Sequence, residues 1–239
     1  MTLPASTDLI VALDVPCYED AMDFVDSLDG TVTWLKVGLE LFISDGAAVM
    51  QALKQRKQKI MLDLKLHDIP ETVARATAQA IDLGADMLTI HTSGGAKMME
   101  AAVKAASDKL KILGVTVLTS LDHEDMQQIG IGLSTIAFAQ RLASLASLSG
   151  VPGLVCSVHD AAAILAAHPS MALVTPGIRL AGGEAGDQKR VATPALARAA
   201  GAHFIVVGRP IRDAKNRVAA VRTILAELQS NTAGKELSP

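Results

Sequence analysis

Aromatic residues and cysteines are scarce in this chain of 239 residues, and each scarcity removes a class of function. Only 3% of the residues are aromatic, with one Trp and one Tyr, so few side chains could stack on nucleic-acid bases. No block of basic residues suggests a nucleic-acid partner either. Cys17 and Cys156 have no CxxC neighbour, which speaks against a disulfide framework and a cysteine-based zinc site.

Long apolar runs are also missing. No uninterrupted apolar stretch reaches the roughly 20 residues that a membrane-spanning helix needs. The opening segment MTLPASTD lacks the basic and then apolar order of a signal peptide. With a net charge of −3 and mixed signs along the chain, the sequence predicts a soluble cytoplasmic protein without a membrane partner.

The hydrophobic half of the sequence is mostly aliphatic and is arranged as short strand-like runs that alternate with Ala-rich helical stretches. The predicted strands are Leu9–Val15, Trp34–Gly38, Ile60–Lys65, Met87–His91, Ile112–Leu118, Gly153–Ser157, Leu173–Pro176 and Phe204–Gly208. The predicted helices are Tyr18–Leu28, Gly46–Lys57, Glu71–Leu83, Gly95–Ala106, Thr135–Leu148, Asp160–Ala167, Pro194–Ala200 and Ile211–Leu228.

Strand and helix alternation of this kind predicts a parallel sheet with right-handed crossovers. Eight such units in one chain predict an α/β fold, a (β/α)8 TIM barrel forming a single domain over residues 1–239. The tail from Ser230 is polar and is expected to fray. An open doubly wound sheet is the alternative, but no GxGxxG follows the first strand.

Charged residues gather where the predicted strands end, which is where such barrels place their chemistry. Asp14 follows the first strand, Lys36 lies on the second, Asp63 and Lys65 lie on the third, and Asp68 comes just after it. Side chains two apart on a strand share a face, so Asp63 and Lys65 are expected to meet. Carboxylates around Lys65 would favour its ammonium form and make it a proton donor.

Two structural interpretations of the same residues remain open. Asp63 and Lys65 could form an ion pair that only stabilises the fold. Asp68 could be the N-cap of the next helix, with Glu71 completing a capping box and Pro70 in the first turn.

A second group of residues suggests a phosphate site after the last two strands. Gly208 and Arg209 follow the eighth strand and Arg179 follows the seventh, which is the usual phosphate position in this architecture. The Gly-rich segment Leu180–Lys189 is a candidate lid. The alternative is an ordinary surface loop with an exposed Arg.

Taken in order, these pieces resemble the orotidine 5′-phosphate decarboxylases of the bacterial type along nearly the whole chain. The matching motifs are Leu13-Asp14, Lys36-Val37-Gly38, Asp63-Leu64-Lys65-Leu66-His67-Asp68, Ile69-Pro70-Glu71-Thr72, Leu118-Thr119-Ser120, Thr175-Pro176-Gly177-Ile178-Arg179, Gly186-Asp187-Gln188 and Val207-Gly208-Arg209-Pro210. Related hexulose-phosphate synthases and keto-gulonate-phosphate decarboxylases share the D-x-K-x-x-D motif but use Mg²⁺ and carry a metal-binding Glu on strand two. Lys36 stands in that region here and would repel a cation, which favours the metal-free reaction.

The resemblance implies decarboxylation of orotidine 5′-phosphate to UMP and CO₂ in pyrimidine biosynthesis, without a metal or other cofactor. Lys65 would protonate C6 of the pyrimidine, and Asp63 would lie beside the departing carboxylate. Lys36 would bind the ribose and hold the charge array, and Asp14 would also contact the ribose.

The resemblance further implies a homodimer in which Asp68 and Thr72 reach into the partner subunit's site. The remaining implied substrate contacts are Thr119 to the pyrimidine and Arg179, Gln188, Gly208 and Arg209 to the phosphate. A metal-dependent sugar-phosphate lyase and a non-catalytic nucleotide sensor remain as alternatives.

Overall fold

Eight parallel strands pair in chain order and close into a barrel, as the sequence predicts. The computed structural model describes residues 4, 6–180 and 191–229. The strands are β1 (Asp8–Leu13), β2 (Trp34–Gly38), β3 (Lys59–Leu66), β4 (Met87–His91), β5 (Lys111–Val115), β6 (Gly153–Val155), β7 (Ala172–Thr175) and β8 (Phe204–Val207). Because β8 pairs with β1, the sheet has no free edge, and the open doubly wound alternative is wrong.

Helices follow the strands on the outside of the barrel. Among the described residues they are α1 (Tyr18–Ser27), α2 (Leu39–Gln55), α3 (Pro70–Asp82), α4 (Ala96–Ala106), α5 (His123–Gln128), α6 (Thr135–Leu148), α7 (Val158–Ala167), α8 (Pro194–Ala199), α9 (Arg209–Arg212) and α10 (Arg217–Gln229). The predicted tail from Ser230 lies outside the described residues. None of the helices that the structure describes combines the length and apolar character needed to cross a membrane.

Three helical segments differ from the prediction. Helix α2 begins seven residues early, at Leu39, and is kinked at Asp45, whose backbone is not helical. The predicted helix Ile211–Leu228 is divided into α9 and α10, because the side chain of Asn216 accepts a hydrogen bond from the Ala219 N–H and starts a new helix. Helix α5 was not predicted, although Asp122 and Asp125 form the capping box that begins it.

Alternate residues of the strands supply two separate apolar layers. On β1, Leu9, Val11 and Leu13 pack toward the helices, whereas Ile10 and Ala12 belong to the cluster inside the barrel. Trp34 and Phe204, the first residues of β2 and β8, meet edge to face inside the barrel with ring centroids 5.4 Å apart. These rings fill the barrel at the amino-terminal ends of the strands, so the space for a ligand lies at the carboxyl ends.

Candidate active site

A cavity of about 540 Å³ opens at the carboxyl ends of the strands, where the charged residues were predicted to gather. This volume suits a small-molecule ligand. Its charged lining residues are Asp14, Lys36, Asp63, Lys65, Arg179, Arg209 and Arg212. Apolar residues from β3, β5, β6 and β8 form the floor: Met61, Val115, Val155 and Val206.

Strand β3 is irregular where it carries Asp63 and Lys65, so simple alternation of side chains does not explain the positions of these two residues. Its pairing with β4 shifts register between Leu62 and Leu66. Within that shift Lys65 has a φ of +50°, a left-handed conformation that is uncommon for a residue with a side chain. The prediction that Asp63 and Lys65 meet is nevertheless confirmed, because Lys65 Nζ lies 2.9 Å from both carboxylate oxygens of Asp63.

Four of the predicted charges form one row with alternating sign. Lys36 Nζ lies 2.8 Å from an Asp14 oxygen and 3.8 Å from an Asp63 oxygen, so Asp63 is shared by Lys36 and Lys65. The row runs from the half-exposed Asp14 to the buried Lys36 and the nearly buried Asp63, whose side chain is only 12% exposed. A buried charge costs much free energy unless it is paired, and each inner charge here has two partners or more.

The electrostatic balance at Asp63 favours the carboxylate. Burial by itself raises the pKa of Asp63, but the positive charges of Lys36 and Lys65 and hydrogen bonds from Lys65 and Thr89 together lower it below the usual value. Asp63 therefore stays ionised at neutral pH and fixes the Lys65 side chain by two charge-assisted hydrogen bonds.

Arg179, Gly208 and Arg209, the residues predicted to bind a phosphate, line the same cavity. Arg179 is buried after β7, and its Nη1 donates to the Ile178 carbonyl over 2.8 Å. Gly208 and Arg209 follow β8 and also line the cavity. A Cβ atom at position 208 would lie 3.0 Å from a carboxylate oxygen of Asp14, so glycine leaves room for the Asp14 side chain.

The sequence profile described as "Orotidine 5'-phosphate decarboxylase / HUMPS family" matches residues 7–224. The chain belongs to this family. It is 48% identical to the orotidine 5'-phosphate decarboxylase of Anaeromyxobacter sp. (strain K) over 93% of this chain and 99% of the relative. It is 43% identical to that of Pseudomonas putida (strain W619) over 94% and 98%.

A solved structure agrees with this family membership. The crystal structure of orotidine 5'-phosphate decarboxylase from Lactobacillus acidophilus matches with a TM-score of 0.83 and 33% identity, covering 94% of this chain and 100% of that chain. The resemblance inferred from the motifs is thereby confirmed for the family and for the fold.

Several residues implied by the family resemblance lie elsewhere or outside the described part of the chain. Thr119 lines the cavity, whereas Gln188 and nearly all of the predicted lid fall among the residues that the structure does not describe. Asp68 and Thr72 are exposed and do not line the cavity of their own chain.

The alternative interpretation of Asp68 as a helix N-cap is wrong. The N-cap of α3 is Ile69, which makes no side-chain capping bond, and Pro70 is the first helical residue. Asp68 accepts a hydrogen bond from the Ile69 N–H, and Glu71 pairs with Arg75. The residue before a proline disfavours the helical conformation, so Pro70 fixes the helix start one residue later than the capping-box pattern suggests.

The resemblance implies a reaction without a metal ion. Within the described ranges, no group of three or more His, Cys, Asp or Glu side chains is placed to hold a metal ion.

His91 lies at the end of β4, half-buried, with its ring 5.5 Å from that of His67. Burial and then the charges of His67 and Lys65 lower the pKa of His91.

Thr89 is a site residue that the sequence interpretation missed. It is fully buried on β4, its hydroxyl accepts from the Lys65 N–H over 2.8 Å, and it donates to an Asp63 oxygen over 2.9 Å. The Thr89 hydroxyl is therefore hydrogen-bonded both to the main chain of Lys65, which is in a left-handed conformation, and to the Asp63 carboxylate that binds the Lys65 ammonium. The available signal was a lone Thr in the apolar strand Met87–His91.

Replacing Thr89 by valine is expected to destabilise the protein by about 2 kcal/mol, because it leaves a buried N–H and a buried carboxylate oxygen each without one partner. Turnover should fall as well, since the Lys65 backbone loses its support. Denaturant unfolding and a decarboxylation assay measure the two effects. Thr77→Val is the matched control, because Thr77 is equally buried but bonds only to the Val73 carbonyl of its own helix. Equal losses in both variants would contradict the role given to Thr89.

Proposed function

We propose that this chain decarboxylates orotidine 5′-phosphate to UMP and CO₂ in pyrimidine biosynthesis, with Lys65 as the proton donor to C6. The observation that carries the proposal is that one cavity is lined both by the lysine–carboxylate row and by Arg179 and Arg209. The family and the names of the relatives support the substrate.

The chemistry of the reaction explains why such a row is useful. When the bond between C6 and the carboxylate carbon breaks, the electron pair stays on C6 in an sp² orbital that the ring π system cannot delocalise. Stabilisation must then be electrostatic, from a positive group already fixed where the negative charge develops. Lys65 supplies that charge and then its proton, which forms the C6–H bond and leaves a neutral amine that solvent reprotonates.

The neighbours of Lys65 have complementary roles in this proposal. Asp63 holds the ammonium in place through two hydrogen bonds and lies beside the departing carboxylate. Lys36, held between Asp63 and Asp14, keeps the row in order and binds the ribose together with Asp14. Because the row is formed before substrate binds, little reorganisation is needed during the reaction.

The residues that follow β7 and β8 bind the part of the substrate that does not react. Arg179, Gly208 and Arg209 bind the phosphate, with Gln188 as a further contact, and Thr119 contacts the pyrimidine. Arginine suits this role because its planar fork matches phosphate oxygens. Binding energy gained at the phosphate can lower the barrier at C6 when it is realised in the transition state.

The active form in this proposal is a homodimer that shares residues between its sites. Asp68 and Thr72 are exposed, as is Ile69 between them, which is 66% exposed. A smaller cavity of about 90 Å³ adjoins the charged row and is lined in addition by Leu39 and Glu40. It offers space for a partner's carboxylate beside Lys65.

A cytoplasmic location suits an enzyme whose phosphorylated substrate does not cross membranes unaided.

The test is the loss of pyrimidine absorbance with orotidine 5′-phosphate, in the presence and absence of EDTA. We expect equal turnover in both, because the charge that stabilises the carbanion comes from Lys65. Loss of turnover with EDTA and its return with added Mg²⁺ would favour the metal-dependent sugar-phosphate branch of the family. Tight UMP binding without release of CO₂ would instead favour a nucleotide sensor.

A further inference from the structure

Arg212 is a cation of the cavity to which the proposed reaction gives no role. It is the last residue of α9, its side chain is one-third exposed, and it lines the cavity together with Arg209. Its guanidinium is bound on two sides. Nε and Nη2 donate to the two carboxylate oxygens of Asp213 over 2.7 and 3.1 Å, and Nη1 donates to the main-chain carbonyl of Asp14 over 3.2 Å.

The main chain of Arg212 is anchored in turn to the protein core. Arg217 Nε donates to the Arg212 carbonyl over 3.2 Å. The Arg217 guanidinium lies 4.4 Å from the centre of the Phe24 ring, which is only 1% exposed, and its Nη1 donates to Ser27 Oγ over 2.9 Å. The end of α9 is thus attached to α1, so Arg212 projects from a fixed point.

Asp14 is the residue that needs such a support. It follows the last residue of β1, where the ladder hydrogen bonds of the barrel have ended. Its carboxylate binds Lys36 over 2.8 Å, and its carbonyl binds Arg212. These two contacts, together with the close approach of Gly208, determine where the Asp14 carboxylate points.

The charge of Arg212 is already matched by its neighbour. The hydrogen bond with Asp213 raises the pKa of Arg212, and the same bond lowers the pKa of Asp213. An arginine held as a bidentate pair has geometric specificity that a lysine cannot reproduce. The arrangement therefore indicates that Arg212 supports the main chain at Asp14 and is not a cation reserved for the substrate.

We propose that Arg212 is a positioning residue, which fixes the main chain at Asp14 and so holds the Asp14 carboxylate at the ribose-binding position of the substrate. This inference rests on the proposed function, because the ribose contact of Asp14 belongs to it. It connects the segment after β8 with the lysine–carboxylate row through one side chain.

A double-mutant cycle on UMP affinity and on KM tests the proposal. Arg212→Ala is expected to weaken UMP binding and raise KM roughly tenfold, the effect of one lost hydrogen bond to a charged group, with a smaller change in kcat. In the Asp14→Ala background the same change is expected to add less than about twofold, because no carboxylate is left to position. Additive effects would show that Arg212 contacts the substrate directly and would overturn the proposal.

Conservative variants distinguish support of the main chain by Arg212 from an effect of its positive charge alone. Arg212→Lys keeps the charge but cannot bind Asp213 and the Asp14 carbonyl together, so it should resemble Arg212→Ala; recovery of wild-type KM by lysine would overturn the proposal. Asp213→Asn should show part of the same effect. Arg56→Ala is the control, because Arg56 forms a similar bidentate pair with Asp26 on another surface and should leave KM unchanged.

Hydrogen exchange of the unliganded protein gives a readout that does not depend on the substrate. A peptide covering residues 12–21, which retains the amides of Asp14, Val15 and Cys17, should exchange faster in Arg212→Ala than in the wild type, and Arg56→Ala should not change it. Unchanged exchange in Arg212→Ala would refute the proposal that Arg212 fixes the main chain at Asp14. If the wild type fails to decarboxylate orotidine 5′-phosphate, the proposed function is refuted, while the exchange result still decides whether Arg212 supports the main chain at Asp14.

Discussion

Replacing Lys65 by alanine is expected to reduce turnover of orotidine 5′-phosphate by at least about 10⁴-fold, because it removes the proposed proton donor and, with it, the positive charge proposed to lie nearest C6. UMP should still bind, since the arginines of the cavity are untouched and Asp63 keeps its contacts with Lys36 and Thr89. Stopped-time product analysis measures the turnover, and calorimetry measures UMP affinity.

Lys59→Ala is the matched control for this variant. Lys59 lies on the same strand, forms an ion pair of 2.7 Å with Asp86 and is exposed at the opposite end of the barrel. It should retain full activity. Turnover near the wild-type rate in Lys65→Ala would mean that another group protonates C6, and the mechanism proposed for this cavity would fail.

Mixing two inactive variants, Lys65→Ala and Asp68→Ala, is expected to restore about a quarter of wild-type activity if sites are shared across a symmetric dimer. About half of the randomly mixed dimers contain one chain of each kind, and one of their two sites then combines an intact Lys65 with an intact Asp68 from the partner chain. Activity is measured after co-expression or after joint unfolding and refolding.

The negative control is a mixture of Lys65→Ala with Asp63→Ala. Asp63 and Lys65 are 2.9 Å apart in one chain, so no mixed dimer can contain an intact pair in either damaged site, and no activity should return. Recovery with Asp63→Ala, or its absence with Asp68→Ala, would each contradict a shared site. Full activity of Asp68→Ala alone would remove Asp68 from the catalytic residues.

Most of the charged row could be predicted from the sequence, because a parallel barrel places all strand ends at one rim. Asp14 follows an apolar strand, and Lys36, Asp63 and Lys65 lie within strands. The topology brings these four residues together. Thr89 could not be found in this way. Its contact with the Lys65 N–H depends on the register shift between β3 and β4, which no local pattern in either strand reveals.

Arg212 and Asp68 show two further limits of sequence interpretation. Arg212 was placed inside a long predicted helix, and only the helix break before Arg217 makes it the end of a short turn beside Asp14. Asp68 matched a capping-box spacing, but the proline two residues later moved the helix start and left Asp68 exposed. In both cases a nonlocal or backbone constraint overrode a local pattern.

The aromatic pair at the amino-terminal end of the barrel has a practical consequence for spectroscopy. Trp34 is the one tryptophan of the chain, and its ring lies against Phe204 among the buried side chains inside the barrel. The cavity with its charged row begins at the other end of the same strands. Indole fluorescence in this protein therefore reports the integrity of the barrel floor, and a nucleotide bound above it has to be followed by another signal.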